Sequence, residues 1–168
     1  RGALAPDDYS NMVNSKNNLF ANYSFVDFFL KINDRPISYY VIITLHNFFN
    51  EKVIYYFITL IFSSLLLLLS VFIFFKIIIG DSRLAFVLTI FYDLLPNKIE
   101  TFQSSIFINI NFVTFFYVCT IISFFLFYIK KNSIFLIFSY FFYLISVFWY
   151  EVGFFIPTIF LIYIYLFK

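Results

Sequence analysis

Two adjacent carboxylates, Asp7 and Asp8, precede Tyr9 in a polar stretch rich in Asn and are the residues best suited to acid–base chemistry. Neighbouring carboxylates repel, so one holds its proton more tightly while the other accepts a proton or orients a hydroxyl. A divalent metal held by the pair is compatible with the sequence, which requires no cofactor. Arg35 and Lys98 are the bases placed to hold an anionic group through charge-assisted hydrogen bonds. Glu100 and Glu151 each adjoin a hydrophobic run, where a carboxylate binds hydroxyl groups or holds loops together. Every one of these residues also has a purely structural reading. Asp7 and Asp8 suit the N-cap of a helix over Tyr9 to Asn14, Arg35 can pair with Asp34 or Asp27, and Lys98 can snorkel to a membrane surface.

The elements that must position these residues are written in an unusual composition. Of 168 residues, 63% are hydrophobic, 27% aromatic and only 12% charged, against about 25% charged in a soluble domain. A water-soluble fold of this size has too little interior for that apolar surface. Runs such as Val53 to Phe75 and Ile110 to Ile129 match the roughly 20 residues with which a helix crosses a hydrocarbon core of about 30 Å. The fold class expected is therefore all-α, a polytopic transmembrane helix bundle with a helical extracytoplasmic first loop.

Two regions are expected. Residues 1–52 form the extracytoplasmic loop, with short apolar stretches at Phe25 to Leu30 and Ile37 to Phe49 that read as surface helices. Residues 53–168 form a transmembrane region of about five spans. Val53 to Ile79 is the clearest. A turn over Gly80 to Arg83 comes next, then a short apolar run from Leu84 to Leu95 that crosses only if tilted into a protein-lined cavity. After the polar segment Asn97 to Ser105 come Ile106 to Ile129, Ile134 to Trp149 and Val152 to Phe167. The chain opens at Arg1 without Met and closes at Lys168 inside an apolar pattern, so it reads as a piece of a longer protein.

Basic residues in short loops favour the cytoplasmic side. Placing the Gly80 to Arg83 turn inside puts Lys76, Arg83, Lys130, Lys131 and Lys168 there, with Asp81 the only acidic companion. The opposite face then receives Asp7, Asp8, Asp27, Asp34, Glu51, Asp93, Glu100 and Glu151. If Leu84 to Leu95 did not cross, Lys130 and Lys131 would fall outside, so the charge rule favours counting that run as a span.

In order and spacing, these features resemble the C-type polytopic membrane glycosyltransferases, in the branch similar to protein O-mannosyltransferases. The resemblance is carried by Asp7-Asp8-Tyr9 in a long first outside loop and by Asp34-Arg35-Pro36-Ile37-Ser38 leading into a surface helix. It continues through Asp93-Leu94-Leu95-Pro96 with Asn97-Lys98-Ile99-Glu100, and through Trp149-Tyr150-Glu151-Val152-Gly153 ahead of Ile156-Pro157. It covers most of the chain, which would correspond to an N-terminal half. What it implies is transfer of a sugar from a polyprenyl-phosphate-linked donor to a glycan, lipid or protein acceptor, on the noncytoplasmic face of a bacterial cytoplasmic membrane. Asp7 and Asp8 would then be catalytic, with Arg35, Lys98, Glu100 and Glu151 binding substrate.

Other classes are disfavoured to different degrees. A net charge of +2 with singly scattered bases gives no nucleic-acid surface. Cys119 is the only cysteine, so no disulfide or CxxC site forms within the chain. His46 has no second His at metal-ligand spacing and reads as a packed or interfacial residue, while Trp149 and Tyr150 suit an aromatic belt. A transporter or flippase of lipid-linked substrates is an alternative; proton or ion coupling usually keeps ionisable residues within the spans, and the middles of Val53 to Phe75, Ile106 to Ile129 and Ile134 to Trp149 hold none, which counts against a coupled transporter. A noncatalytic membrane subunit is the rival that composition alone leaves standing.

Overall fold

The computed structural model describes residues 26–27, 35–49, 52–95, 106–149, 157 and 160. The described elements are helices: α1 (Pro36–Phe49), α2 (Val53–Ile79), α3 (Ser82–Asp93), α4 (Ile106–Lys130) and α5 (Ser133–Trp149). Of the predicted Phe25 to Leu30 helix only Val26 and Asp27 are described, and both are helical. Of the predicted last span only Pro157 and Phe160 are described, and the Phe160 ring stacks on Phe124 of α4 with centroids 4.0 Å apart.

Local chemistry sets the helix ends. Pro36 opens α1, at the position where its fixed φ suits the helix and its missing N–H removes no bond. Gly80 closes α2 in the left-handed conformation at φ 79°, its N–H donating to the Lys76 carbonyl at 2.9 Å, a geometry that costs glycine nothing. Asp81 then caps α3 by accepting the Arg83 N–H at 2.8 Å. Lys131 takes a left-handed φ of 53° after α4, and the Asn132 side chain accepts the Ile134 N–H at 3.0 Å to start α5.

The two tight turns make neighbours of α2 with α3 and of α4 with α5, and α4 also lies along α2. That pair is parallel. Tyr56 packs with Ile108, Asn111 bonds to Ser63 and Ser64, and Phe74 meets Phe125 further along. The face α2 buries is Tyr56, Leu60, Ser63, Leu67 and Ser70, whose alternating steps of four and three are those of a packed helical seam. On the other side α1 lies against α5, α2 and α4.

Small polar residues share the interior with apolar ones such as Leu60, Leu67, Val71 and Ile108, while much of the outside is apolar. Ser63, Ser70, Asn111, Thr120, Ser139 and Ser146 are buried, while Ile58, Phe62, Leu65, Leu69, Phe91 and Phe141 are exposed. Water would reverse that arrangement, since contiguous apolar surface beyond a few hundred Å² is rare on soluble monomers. In lipid it is expected, because tails are as apolar as Leu and helices meet through small and hydrogen-bonding residues. Ser63, Ser70 and Ser146 satisfy their hydroxyls on carbonyls of their own helices, and Ser139 donates across to the Thr120 carbonyl at 3.0 Å.

Two helices, α2 with 27 residues and the 23-residue stretch of α4 from Ile108 to Lys130, are long and apolar enough to cross a membrane. Helix α5 has 17 residues and α3 only 12, so at 1.5 Å per residue α3 reaches about 18 Å. That is short of a bilayer core of about 30 Å.

The α2–α4 contact yields a first prediction. Asn111→Ala removes the donor to both Ser63 and Ser64 and is expected to lower stability by about 0.6 to 1.7 kcal/mol, as for other interhelical bonds in lipid. Ser63→Leu places a large side chain where none of the serine surface is exposed, at an overpacking cost of about 1–3 kcal/mol. Unfolding of the full-length protein in mixed micelles titrated with SDS measures both. The reverse order would mean that the hydrogen bond, not close approach, holds the pair.

Candidate functional site

Of the six residues singled out for chemistry, the structure describes Arg35. It is half-buried and immediately precedes α1, and its carbonyl accepts the Tyr39 N–H at 3.2 Å. Its φ of 50° is left-handed, an uncommon conformation for a side-chain-bearing residue and one opposed by the proline after it. Such a backbone persists where its surroundings fix it, as at ligand clamps and tight turns. Asp7, Asp8, Lys98, Glu100 and Glu151 lie outside the described residues, so the structure neither assembles them into one site nor separates them.

What the described residues do assemble is a buried polar cluster at one end of the bundle. His46, near the end of α1, shares a hydrogen bond of 2.6 Å between Nδ1 and the Tyr56 hydroxyl of α2. Both side chains are buried, and Phe49 sets its ring edge against Tyr56 with centroids 5.2 Å apart. Beside them, Asn109 in the first turn of α4 accepts the indole N–H of Trp149, the last residue of α5, at 3.2 Å. Trp149 stacks on Phe112 at 5.8 Å, and Phe112 packs against the Tyr56, Leu60 and Ile108 core. Four helices therefore contribute polar groups where α2 and α4 begin and α5 ends.

The sequence reads His46 as packed or interfacial, and the structure buries it with a hydrogen bond to Tyr56. Sequence reasoning missed Tyr56, Asn109 and Asn111. The available signal was a pair of Asn residues inside an otherwise apolar run, since amides there need partners on a neighbouring helix.

Among the described residues, two apolar recesses lie on the bundle. The larger, of about 480 Å³, runs between α2 and α3 past Leu65, Leu69, Phe86 and Thr89, and Asp93 is its one charged wall residue. The other, of about 300 Å³, lies between α2, α4 and α5, with Cys119, Ser70 and Ser123 on its wall. Among the described residues no three His, Cys, Asp or Glu side chains gather as a metal-ligand set. Comparison of the chain with protein-family models, curated proteins and solved structures finds no match in any of them.

Proposed function

We propose that this chain is part of a polytopic integral membrane glycosyltransferase that transfers sugar from a polyprenyl-phosphate-linked donor to a glycan, lipid or protein acceptor. The observation that carries the membrane half of this reading is the large exposed apolar surface of Ile, Leu and Phe over an interior that holds many Ser, Thr and Asn residues beside its apolar ones. The enzymatic half is supported by the sequence resemblance and by the distribution of charge. Lys76, Arg83, Lys130 and Lys131 flank the two turns at one end of the bundle with Asp81 beside them, whereas Asp93, at the end of α3, lies part-way along α2 near Leu65 and Leu69.

In this reading the acceptor hydroxyl gives its proton to Asp7 as its oxygen bonds to the anomeric carbon. The bond from that carbon to the phosphate oxygen breaks, and its electron pair leaves with the lipid phosphate. Asp8 holds Asp7 in the protonation state the step needs. Arg35 and Lys98 stabilise the charge gathering on the departing phosphate, and Glu100 and Glu151 accept hydrogen bonds from sugar hydroxyls. The reaction lies on the noncytoplasmic face of a bacterial cytoplasmic membrane, and the carrier's tail stays in lipid or in an apolar recess such as that between α2 and α3.

The full-length protein in proteoliposomes is expected to transfer sugar from a polyprenyl-phosphate hexose and not from a nucleotide sugar supplied alone. Absence of transfer from every lipid-linked donor, by protein that is correctly inserted, would favour a noncatalytic membrane subunit instead.

A further inference from the structure

On the side of α2 turned away from α4, two helices present matching stripes to one recess. Leu65, Leu68, Leu69 and Phe72 of α2 line it on one side, at a spacing of i, i+3, i+4 and i+7. Phe86, Thr89, Ile90 and Asp93 of α3 line it on the other, at the same spacing. That is the pattern by which one helix offers a face to another. The groove of about 480 Å³ extends over two turns of each helix, and Leu65, Leu69, Phe86 and Ile90 are exposed on its walls. Its shape is that of a seat for a third helix.

One residue of the groove is out of place in lipid. Asp93 ends α3, whose 12 residues carry it about 16 Å from the start of that helix, and it shares the groove with Leu65 and Leu69, near the middle of α2. Against a hydrocarbon core of about 30 Å, that is mid-membrane depth. A carboxylate there is costly, and such residues face a partner or an aqueous cavity. The groove offers neither: its other walls are apolar except for Thr89, whose hydroxyl donates to the Ala85 carbonyl at 2.8 Å. Asp also lacks the long stem with which Lys and Arg reach the interface. Its place at the C-terminal end of α3 adds the negative end of a helix dipole to the carboxylate, so both attract a cation.

We propose that the α2–α3 groove seats a membrane-spanning helix of a partner protein, one that carries a Lys or Arg at mid-depth to pair with Asp93. The partner's apolar side chains fill the groove between the two stripes, and its basic group meets the carboxylate. A second copy of this chain does not supply such a helix, because the middles of Val53 to Phe75, Ile106 to Ile129, Ile134 to Trp149 and Val152 to Phe167 hold no base. The assignment rests on the membrane reading and not on sugar transfer.

The test places a photoreactive amino acid at Leu69 of the full-length protein in its native membrane and maps the cross-linked segments by mass spectrometry. Phe141, exposed on α5, is the control position. The Leu69 probe is expected to join an apolar segment of another protein with a Lys or Arg near its centre, and the Phe141 probe is not. Asp93→Asn keeps the size of the side chain and removes its charge, and is expected to lower that yield at least about tenfold. Exchanging the pair, with Asp93→Lys and the partner's base changed to Asp, is expected to restore it. Cross-links to lipid alone, to a second copy of this chain, to another part of the same polypeptide or to a segment without a base would each overturn the proposal. So would a yield that Asp93→Asn leaves unchanged. Gel filtration of Asp93→Asn, with recovery in the exchanged pair, separates loss of the partner from misfolding.

Discussion

Replacing Asp7 with Asn is expected to slow sugar transfer by roughly 10² to 10⁴, the usual contribution of a positioned general base. The amide keeps the size and most of the hydrogen bonding of the carboxylate but cannot take the acceptor's proton at neutral pH. Membrane insertion and binding of the lipid-linked donor should survive, since in the proposed reading basic groups hold the phosphate and apolar surface the tail. Arg35→Ala should differ in kind, weakening carrier binding as well as turnover, because in the proposed reading its guanidinium interacts with the phosphate before and during departure. Proteoliposome assays of Asp7→Asn, Asp8→Asn and Arg35→Ala in the full-length protein separate the roles. Activity in Asp8→Asn with loss in Asp7→Asn assigns the base to Asp7. Normal rates in both would make the pair structural and return the chain to the class of noncatalytic subunits.

How much of the fold and the site is legible in the sequence depends on the kind of signal. The helix ends are, because each is written in local chemistry: Pro36 opens α1, Gly80 closes α2, Asp81 caps α3 and Asn132 caps α5. The long apolar helices are legible from length alone. The face each helix turns inward is much less so, since neighbouring helices and lipid both accept Leu, Ile and Phe, which leaves only a faint polar stripe. Ser63 and Ser70 carry that stripe on α2, and Ser139 and Ser146 on α5. The pairing of Asn109 with Trp149, 40 residues apart, depends on how α4 and α5 are set against each other and has no local signature. Five of the six predicted site residues belong to polar segments outside the described residues. Their hypothesised roles therefore rest on residue type, order and resemblance alone.

Thiol labelling in intact cells is expected to give an all-or-none pattern. Starting from a Cys119→Ser background, single cysteines at Asn17 and Asn97 should react with an impermeant reagent, and one at Asn132 should not. The expectation joins charge to topology. Because α2 and α4 are parallel, the Gly80–Asp81 turn and the Lys131–Asn132 turn share one end of the bundle. That end carries Lys76, Arg83, Lys130 and Lys131 against Asp81, and a cluster of bases in short turns is retained on the cytoplasmic side. Lys130 and Lys131 also lie over the rings of Phe135 and Tyr128, at 5.3 and 4.2 Å from the centroids, an arrangement suited to the interface, where aromatic rings and cations both reside. Asn97 comes after α3, so its labelling tests whether that short helix returns the chain to the far side. Labelling at Asn132 alone would invert the bundle and put the carboxylate-bearing segments in the cytoplasm. Labelling at Asn17 and Asn132 together, with Asn97 protected, would mean that α3 does not cross and that α2 and α4 lie antiparallel in the membrane, against the register set by Asn111 on Ser63 and Ser64.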